Sequence, residues 1–335
     1  MKIAINGFGR IGRIFFRQAF EKPGIEIVAI NDLSPIENLA YLLKYDTTYR
    51  RYEKDISIEN NRLVVAGKEI SVFKESDPSK LPWRDLNIDV VVESTGFFTT
   101  TAKAQAHIQA GAKKVIITAP AKDEVTPTST PNLNVQALSE NQIFSNASCT
   151  TNATNPTIAI MAKTIGVKKA ILSTVHGYTA TQALVDSVSK GEDFRRGRGG
   201  AMNIVPSTTG AAEATVKVLP QFKNKFDGVS LRVPTLTGSL VDLTFLSERP
   251  TTIEEVNEIF KTETKKPEWQ GIVTTTEDQI VSSDIIGQAY GAIIDLGLTR
   301  VVDSDLVKVF SWYDNEWGYC STLIKQIENL QNLKF

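Results

Sequence analysis

Cysteine and histidine are scarce here: the 335-residue chain holds only Cys149 and Cys320, with His107 and His176. Two cysteines about 170 residues apart could pair in principle, but nothing suggests a disulfide framework; they point to a reducing compartment and leave us expecting no metal site. An excess of charge of one sign is also missing. A formal net charge of −1 at pH 7 offers no bulk attraction to nucleic acid or anionic lipid. No apolar run reaches membrane-spanning length. The opening residues, Met1-Lys2-Ile3-Ala4-Ile5-Asn6, lead straight into a motif where a secretory leader would have an apolar core. These absences predict a soluble, cytoplasmic protein with neither membrane nor nucleic acid as partner. At 335 residues the chain exceeds the roughly 250–300 that one hydrophobic core organises, which predicts two domains.

What is present begins with a strand-like run, Lys2–Asn6, followed at once by Gly7-Phe8-Gly9-Arg10-Ile11-Gly12. Ile14, Phe15, Phe16 and Ala19 then recur at helical spacing, and a second apolar run, Ile25–Ile30, ends at Asn31-Asp32. A bare GxGxxG is weak. Placed between strand and helix, with an acid 20 residues after the last glycine, it is a dinucleotide fingerprint. Gly7 permits the tight turn, Gly9 lets a pyrophosphate approach, and Gly12 lets helix and strand pack closely. The helix N-terminus favours the phosphates. Asp32 would accept from the adenosine ribose hydroxyls and repel a 2′-phosphate, which favours NAD over NADP. Strand runs at Asp89–Glu93, Lys114–Thr118 and Ile143–Ser145 alternate with a helical Thr101–Ala110, predicting a mainly parallel sheet. Thr95, Gly96 and Thr118 fall at strand ends and are expected to line the cofactor. Residues 45–85 read as a hairpin-like insertion. His107 is read as a mild cation near the C-terminus of a surface helix.

Cys149 lies in Asn146-Ala-Ser-Cys-Thr-Thr-Asn152, a run of small polar residues and no place for a thiol packed as a hydrophobe. It is expected near the start of a helix running toward Gly166, where the dipole and the Thr150 and Asn152 amides favour a thiolate. Pro156 lies inside that helix, so regular helix is expected to begin several residues after the cysteine. The β-like run Lys169–Val175 ends at His176-Gly177, which is expected to be exposed enough to titrate and to draw the thiol below its free pKa of about 8.5. Two clusters suit phosphate oxygens: Phe194–Gly200 with Pro206–Gly210, and Arg232-Val233-Pro234. The arginine-glycine stretch Arg196–Gly200 superficially suggests RNA binding, but one short copy in a near-neutral chain argues against it.

The motifs Ile5–Arg13, Ser148–Asn152, Thr179–Gln182, Arg232–Pro234 and Trp312–Glu316 stand in the order of the phosphorylating glyceraldehyde-3-phosphate dehydrogenases, which the chain resembles along nearly its whole length. The resemblance implies an α/β fold: a Rossmann-type parallel-sheet domain over 1–148, and an α+β catalytic domain with a largely antiparallel sheet over 149–315. The C-terminal helix, about 316–335, would pack back onto the first domain. It implies glycolytic (or, in reverse, gluconeogenic) conversion of glyceraldehyde 3-phosphate to 1,3-bisphosphoglycerate with NAD and inorganic phosphate, through a Cys149 thioester with His176 as base. Thr179, Thr181 and Arg232 would hold the substrate phosphate. Ser148, Thr150, Thr209, Gly210 and either Arg196 or Arg198 would complete the phosphate sites. Arg10 and Ile11 would join the glycines on the cofactor, and Asn315 would orient the nicotinamide. A homotetramer is implied, with residues 179–203 reaching toward a neighbour's cofactor.

Three departures from the family pattern bear on this. Ser187-Val188 replaces Gly-Pro, which leaves NADP use open despite Asp32 and Leu33. Thr235-Leu-Thr-Gly-Ser239 replaces Thr-Pro-Asn-Val-Ser, and Ala153 replaces a second cysteine. The rival readings are an erythrose-4-phosphate dehydrogenase and a non-catalytic NAD- or RNA-binding protein.

Overall fold

The computed structural model describes residues 1–189 and 191–333, so Lys190, within the 179–203 segment, and Lys334-Phe335, within the expected 316–335 helix, lie outside it. Contacts divide the chain into one unit of Met1–Ala147 with the residues from Leu323 onward, and a second of Ser148–Thr322.

The first unit runs β1 (Lys2–Asn6), α1 (Arg10–Ala19), β2 (Glu26–Asn31), α2 (Ile36–Lys44), β3 (Ile56–Glu59), β4 (Arg62–Val65), β5 (Lys68–Phe73), β6 (Val90–Glu93), α3 (Thr101–Gln109), β7 (Lys114–Ile117), α4 (Gln136–Glu140) and β8 (Ile143–Ser145). Its eight strands lie in the order β3-β4-β5-β2-β1-β6-β7-β8. The six from β5 to β8 are parallel, and only the β3-β4-β5 meander is antiparallel. Ala4, Val91, Val115 and Ile117 are fully buried in one core cluster, as expected for parallel strands covered on both faces.

Gly7 takes a φ of +90°, open to glycine at little cost, at the turn between β1 and α1. A Cβ on Gly12 would stand 2.2 Å from the Gly7 carbonyl oxygen, so helix and strand meet as closely as its missing side chain allows.

The second unit runs α5 (Cys149–Thr164), β9 (Lys169–Gly177), β10 (Val205–Thr208), α6 (Ala211–Val218), β11 (Phe226–Val233), β12 (Ser239–Leu246), α7 (Ile253–Glu263), β13 (Val273–Thr276), β14 (Ala292–Val302) and β15 (Leu306–Tyr313). Its sheet order is β10-β11-β9-β12-β15-β14-β13. Four of its six pairings are antiparallel, and β9–β11 and β13–β14 are parallel. Helices α5, α6 and α7 pack on it. The last helix, α8 (Trp317–Asn332), begins in the second unit and ends in the first, where Gln326 donates to Ser129 Oγ at 2.8 Å and Gln331 donates to the Gly24 carbonyl at 2.6 Å.

Two expectations are corrected. Helix α5 starts at Cys149 itself and carries Pro156 inside it. Ser148 caps it by accepting from the Thr151 amide at 3.1 Å, and Thr150 through Ile158 are all buried. That packing outweighs the roughly 3 kcal/mol a mid-helix proline costs. His107 is not on a surface. It is fully buried, its Nδ1 accepting from the Trp83 indole at 3.0 Å and its Nε2 3.0 Å from Glu93 Oε2. Helix α3 turns this position into the core because Ala104 and His107 share its inner face.

Gly12→Ala forces its Cβ into the Gly7 carbonyl, and we expect it to destabilise the fold by about 1–3 kcal/mol. Denaturant unfolding reads this, and an unchanged midpoint would contradict the close approach.

Candidate active site

In the second unit the register of two neighbouring strands does most of the positioning. Arg232 of β11 lies directly opposite His176 of β9, and the start of α5 brings Cys149 to them. The thiol Sγ lies 3.3 Å from His176 Nε2. On its other side, His176 Nδ1 is 2.6 Å from the Gly177 carbonyl oxygen and 2.6 Å from Arg232 Nη1. These two contacts demand opposite tautomers. A proton on Nδ1 serves the carbonyl and leaves Nε2 a lone pair; a lone pair on Nδ1 serves the guanidinium and puts the proton on Nε2.

The histidine is 3 % exposed, so the expectation of an exposed imidazole is corrected. Burial, with the Arg232 charge beside it, pushes its pKa down to about 3, only partly opposed by the Gly177 carbonyl. The thiol moves the other way from the expected low value. Burial pushes Cys149 up to about 11, outweighing the Arg232 charge and the hydrogen bonds from Thr150. Desolvation penalises both charged forms, and so works against a preformed thiolate–imidazolium pair.

Tyr313, at the end of β15, ties this corner together. Its hydroxyl meets Thr150 Oγ1 at 2.9 Å and Thr174 Oγ1 at 2.8 Å, and its ring stands edge-on to His176 with centroids 6.0 Å apart. Tyr313 falls within the Trp312–Glu316 motif without a role of its own assigned from sequence; its alternation with Ser311 and Val309 on the inner face of β15 is the available signal.

The phosphate candidates separate. Arg196 Nη2 lies 3.3 Å from both Ser207 Oγ and the Thr208 carbonyl, beside Gly210 at the N-terminus of α6. Its charge reaches Arg232, whose own pKa is lowered by burial first and by Arg196 in part. Thr209 Oγ1 accepts from the Ala211 amide at 3.2 Å in the same turn. Arg198 is held elsewhere, exposed and paired with Asp186 at 2.8 Å. Thr179 and Thr181 join hydroxyls at 2.9 Å. Asn315 is buried, its Oδ1 accepting from Thr237 Oγ1 at 3.0 Å and Ser239 Oγ at 2.8 Å. Its Nδ2 edge is thereby turned away from those hydroxyls. Among the described residues, no group of three or more His, Cys, Asp or Glu could hold a metal ion.

In the first unit a cavity of about 540 Å³ opens at the strand ends, lined by Asn6, Gly7, Gly9, Asp32, Thr95 and Phe97 among others. A Cβ on Gly9 would meet nothing within 4 Å, and no side chain caps α1. Asp32 is fixed by the Phe8 amide at 2.8 Å and the Ser34 amide at 2.9 Å. Open space over a helix N-terminus with an acid across from it fits a dinucleotide. Gly12, Gly96 and Thr118 do not line this cavity. Gly12 packs on β1, and Thr118 donates to the Glu93 carbonyl at 3.0 Å. Arg10 turns to Asp46, and neither it nor Ile11 lines the cavity.

Residues 1–101 match the family model described as glyceraldehyde 3-phosphate dehydrogenase, NAD binding domain, and residues 148–315 match its C-terminal domain. The glyceraldehyde-3-phosphate dehydrogenase of Clostridium pasteurianum is 45 % identical, over 98 % of this chain and 97 % of that protein. That of Streptomyces coelicolor is 46 % identical, over 97 % and 96 %, and glyceraldehyde-3-phosphate dehydrogenase B of Aspergillus oryzae 44 %, over 95 % and 94 %. The chain belongs to the glyceraldehyde-3-phosphate dehydrogenase family. It is an NAD-dependent oxidoreductase of glycolysis, and its two sheets, one mainly parallel and one mainly antiparallel, are those of the family's two domains.

With two histidines in the chain, proton NMR reads His176 directly. Its imidazole signal is expected to stay at the neutral position from about pH 8 to pH 5, because its pKa lies near 3. The unfolded chain, with the ordinary value of about 6.5, takes up the proton first, so acidification through this range favours unfolding. Assignment with His176→Asn and a folded-state midpoint between about 6 and 7 would contradict a buried neutral imidazole.

Proposed function

We propose that Cys149 and His176 carry the oxidative phosphorylation of glyceraldehyde 3-phosphate. The supporting observation is the 3.3 Å contact from Sγ to Nε2. A thiol this costly to ionise attacks the aldehyde carbon as its proton passes to Nε2, so the base acts during attack rather than before it. That role needs the proton on Nδ1, donated to Gly177. A substrate phosphate drawing Arg232 toward itself removes the guanidinium from Nδ1 and favours this tautomer.

Bound NAD, held by the cavity around Gly7, Gly9 and Asp32, supplies the hydride acceptor. The proton held on His176 passes to the aldehyde oxygen as the Cys149 hemithioacetal forms, and His176 takes it back as that carbon gives up its hydride and becomes the thioester. Inorganic phosphate then attacks the acyl carbon, the C–S bond breaks, and the sulfur leaves with a proton from His176, giving the acyl phosphate. Thr179, Thr181 and Arg232 would hold the substrate phosphate. Ser148, Thr150, Thr209, Gly210 and Arg196 would hold the attacking phosphate, with Arg196 favoured over Arg198 because Asp186 occupies Arg198. Asn315 would present its amide N–H to the nicotinamide carboxamide.

A homotetramer belongs to the same reading. Leu184, Val185, Val188, Phe194, Met202 and Ile204 are apolar and strongly exposed, a surface a partner copy would cover. Cys149 and Cys320 are both free thiols, which suits a reducing cytoplasm.

NADH formation from glyceraldehyde 3-phosphate is expected to require inorganic phosphate, and His176→Asn to lower kcat by about 10²–10⁴-fold. Faster, phosphate-independent oxidation of erythrose 4-phosphate would transfer the chain to the rival activity. Wild-type turnover in His176→Asn would remove the base.

A further inference from the structure

Behind the dinucleotide cavity runs a buried polar chain that no step of the reaction uses. It starts at Trp83, fully buried, whose indole nitrogen can only donate. It donates to His107 Nδ1 at 3.0 Å, so that nitrogen holds a lone pair and the neutral ring carries its proton on Nε2. Nε2 then donates to Glu93 Oε2 at 3.0 Å. Glu93 is 2 % exposed, and its carboxylate accepts three more hydrogen bonds: from Asn6 Nδ2 at 2.5 Å, the Thr95 amide at 2.8 Å and the Thr95 hydroxyl at 2.5 Å. Since Asn6 must turn its NH2 to the carboxylate, its Oδ1 faces away and accepts from Asn31 Nδ2 at 2.7 Å. Asn31 in turn grips the backbone of Glu75, donating to its carbonyl and accepting from its amide, both at 2.9 Å.

Every link has a fixed donor-to-acceptor sense, set at one end by an indole and at the other by a carboxylate. The chain ties together the ends of β1, β2 and β6 and the segment after β5. Asn6, Asn31, Glu75 and Thr95 are themselves walls of the 540 Å³ cavity. Among the described residues, the four groups that donate to Glu93 are neutral: the His107 ring, the Asn6 amide, and the Thr95 backbone N–H and hydroxyl.

We infer that Glu93 and His107 are positioning residues for NAD: they hold the walls of the dinucleotide cavity in their binding geometry without touching the cofactor. This rests on the reading of that cavity as the NAD site. Losing the carboxylate charge or the Nε2–H frees Asn6 and Thr95 to rotate, and Asn31 and Glu75 follow. The cost falls on NAD affinity. The thiol–imidazole pair hydrogen-bonds to none of these groups.

Calorimetric titration of NAD into Glu93→Gln, His107→Leu, His107→Gln, Trp83→Phe and Asp32→Ala tests this, with KM for glyceraldehyde 3-phosphate measured at saturating NAD. Glu93→Gln and His107→Leu are expected to weaken NAD about tenfold while that KM stays within about twofold. His107→Gln, which still presents an N–H to Glu93, is expected to recover most of the loss. Trp83→Phe, which keeps an apolar ring but frees the tautomer, is expected to weaken NAD by several-fold and gives a reading if His107→Leu does not fold. Wild-type NAD affinity in Glu93→Gln and in Trp83→Phe, with Asp32→Ala weakened, would overturn the positioning role alone. Equal losses in His107→Leu and His107→Gln would overturn it too, reducing His107 to packing. Wild-type affinity in Asp32→Ala would overturn the cavity assignment and the inference with it.

Discussion

The cost of placing charge in a dry site governs this protein's chemistry. Neither Cys149 nor His176 can ionise cheaply alone, since burial moves the thiol up and the imidazole down. What remains cheap is moving one proton between them along a 3.3 Å contact while new charge is absorbed elsewhere. On the proposed reading, such a thiol is a weak nucleophile until an aldehyde is present to be attacked. The chain's other cysteine, Cys320, is buried in α8.

The same physics shapes both units, each considered by itself. Functional groups collect where strands end and helices begin, because backbone amides and carbonyls there have partners to spare. In the first unit, Gly7 and Gly9 keep side chains out of such a place. In the second, Ser148 and Gly210 stand just before α5 and α6, with Cys149 opening α5 and Arg196 beside Gly210. Polar groups drawn this far inside must be satisfied, and the tyrosine bridging Thr150 and Thr174 and the carboxylate at Glu93 show two ways of doing it.

The glycine fingerprint, the alternating strands and the polar run around Cys149 were legible in the sequence because each is local: a turn, a periodicity, a composition. The antiparallel hairpin between residues 45 and 85 was legible for the same reason. Burial was not. A histidine followed by glycine read as exposed, and one at a helix end read as a surface cation, yet both lie in the interior because strands or helices far apart in sequence close over them. The shift of the Cys149 thiol was misjudged accordingly, since dipole and donors are local and desolvation is not. Proline in α5 also misled: its penalty is a local quantity, while the packing that overrides it involves a whole sheet. Arg196 and Arg198 look alike in the sequence because the residue that pairs with Arg198, Asp186, lies twelve residues away.

The most direct measurement is to trap the acyl group. The protein is mixed with glyceraldehyde 3-phosphate and NAD without inorganic phosphate, quenched in acid, digested and mapped by mass spectrometry. We expect a single acyl adduct on the peptide carrying Cys149, discharged when phosphate is added before the quench. Turnover without such an adduct, or an adduct on Cys320, would contradict a thioester built on the Cys149–His176 pair.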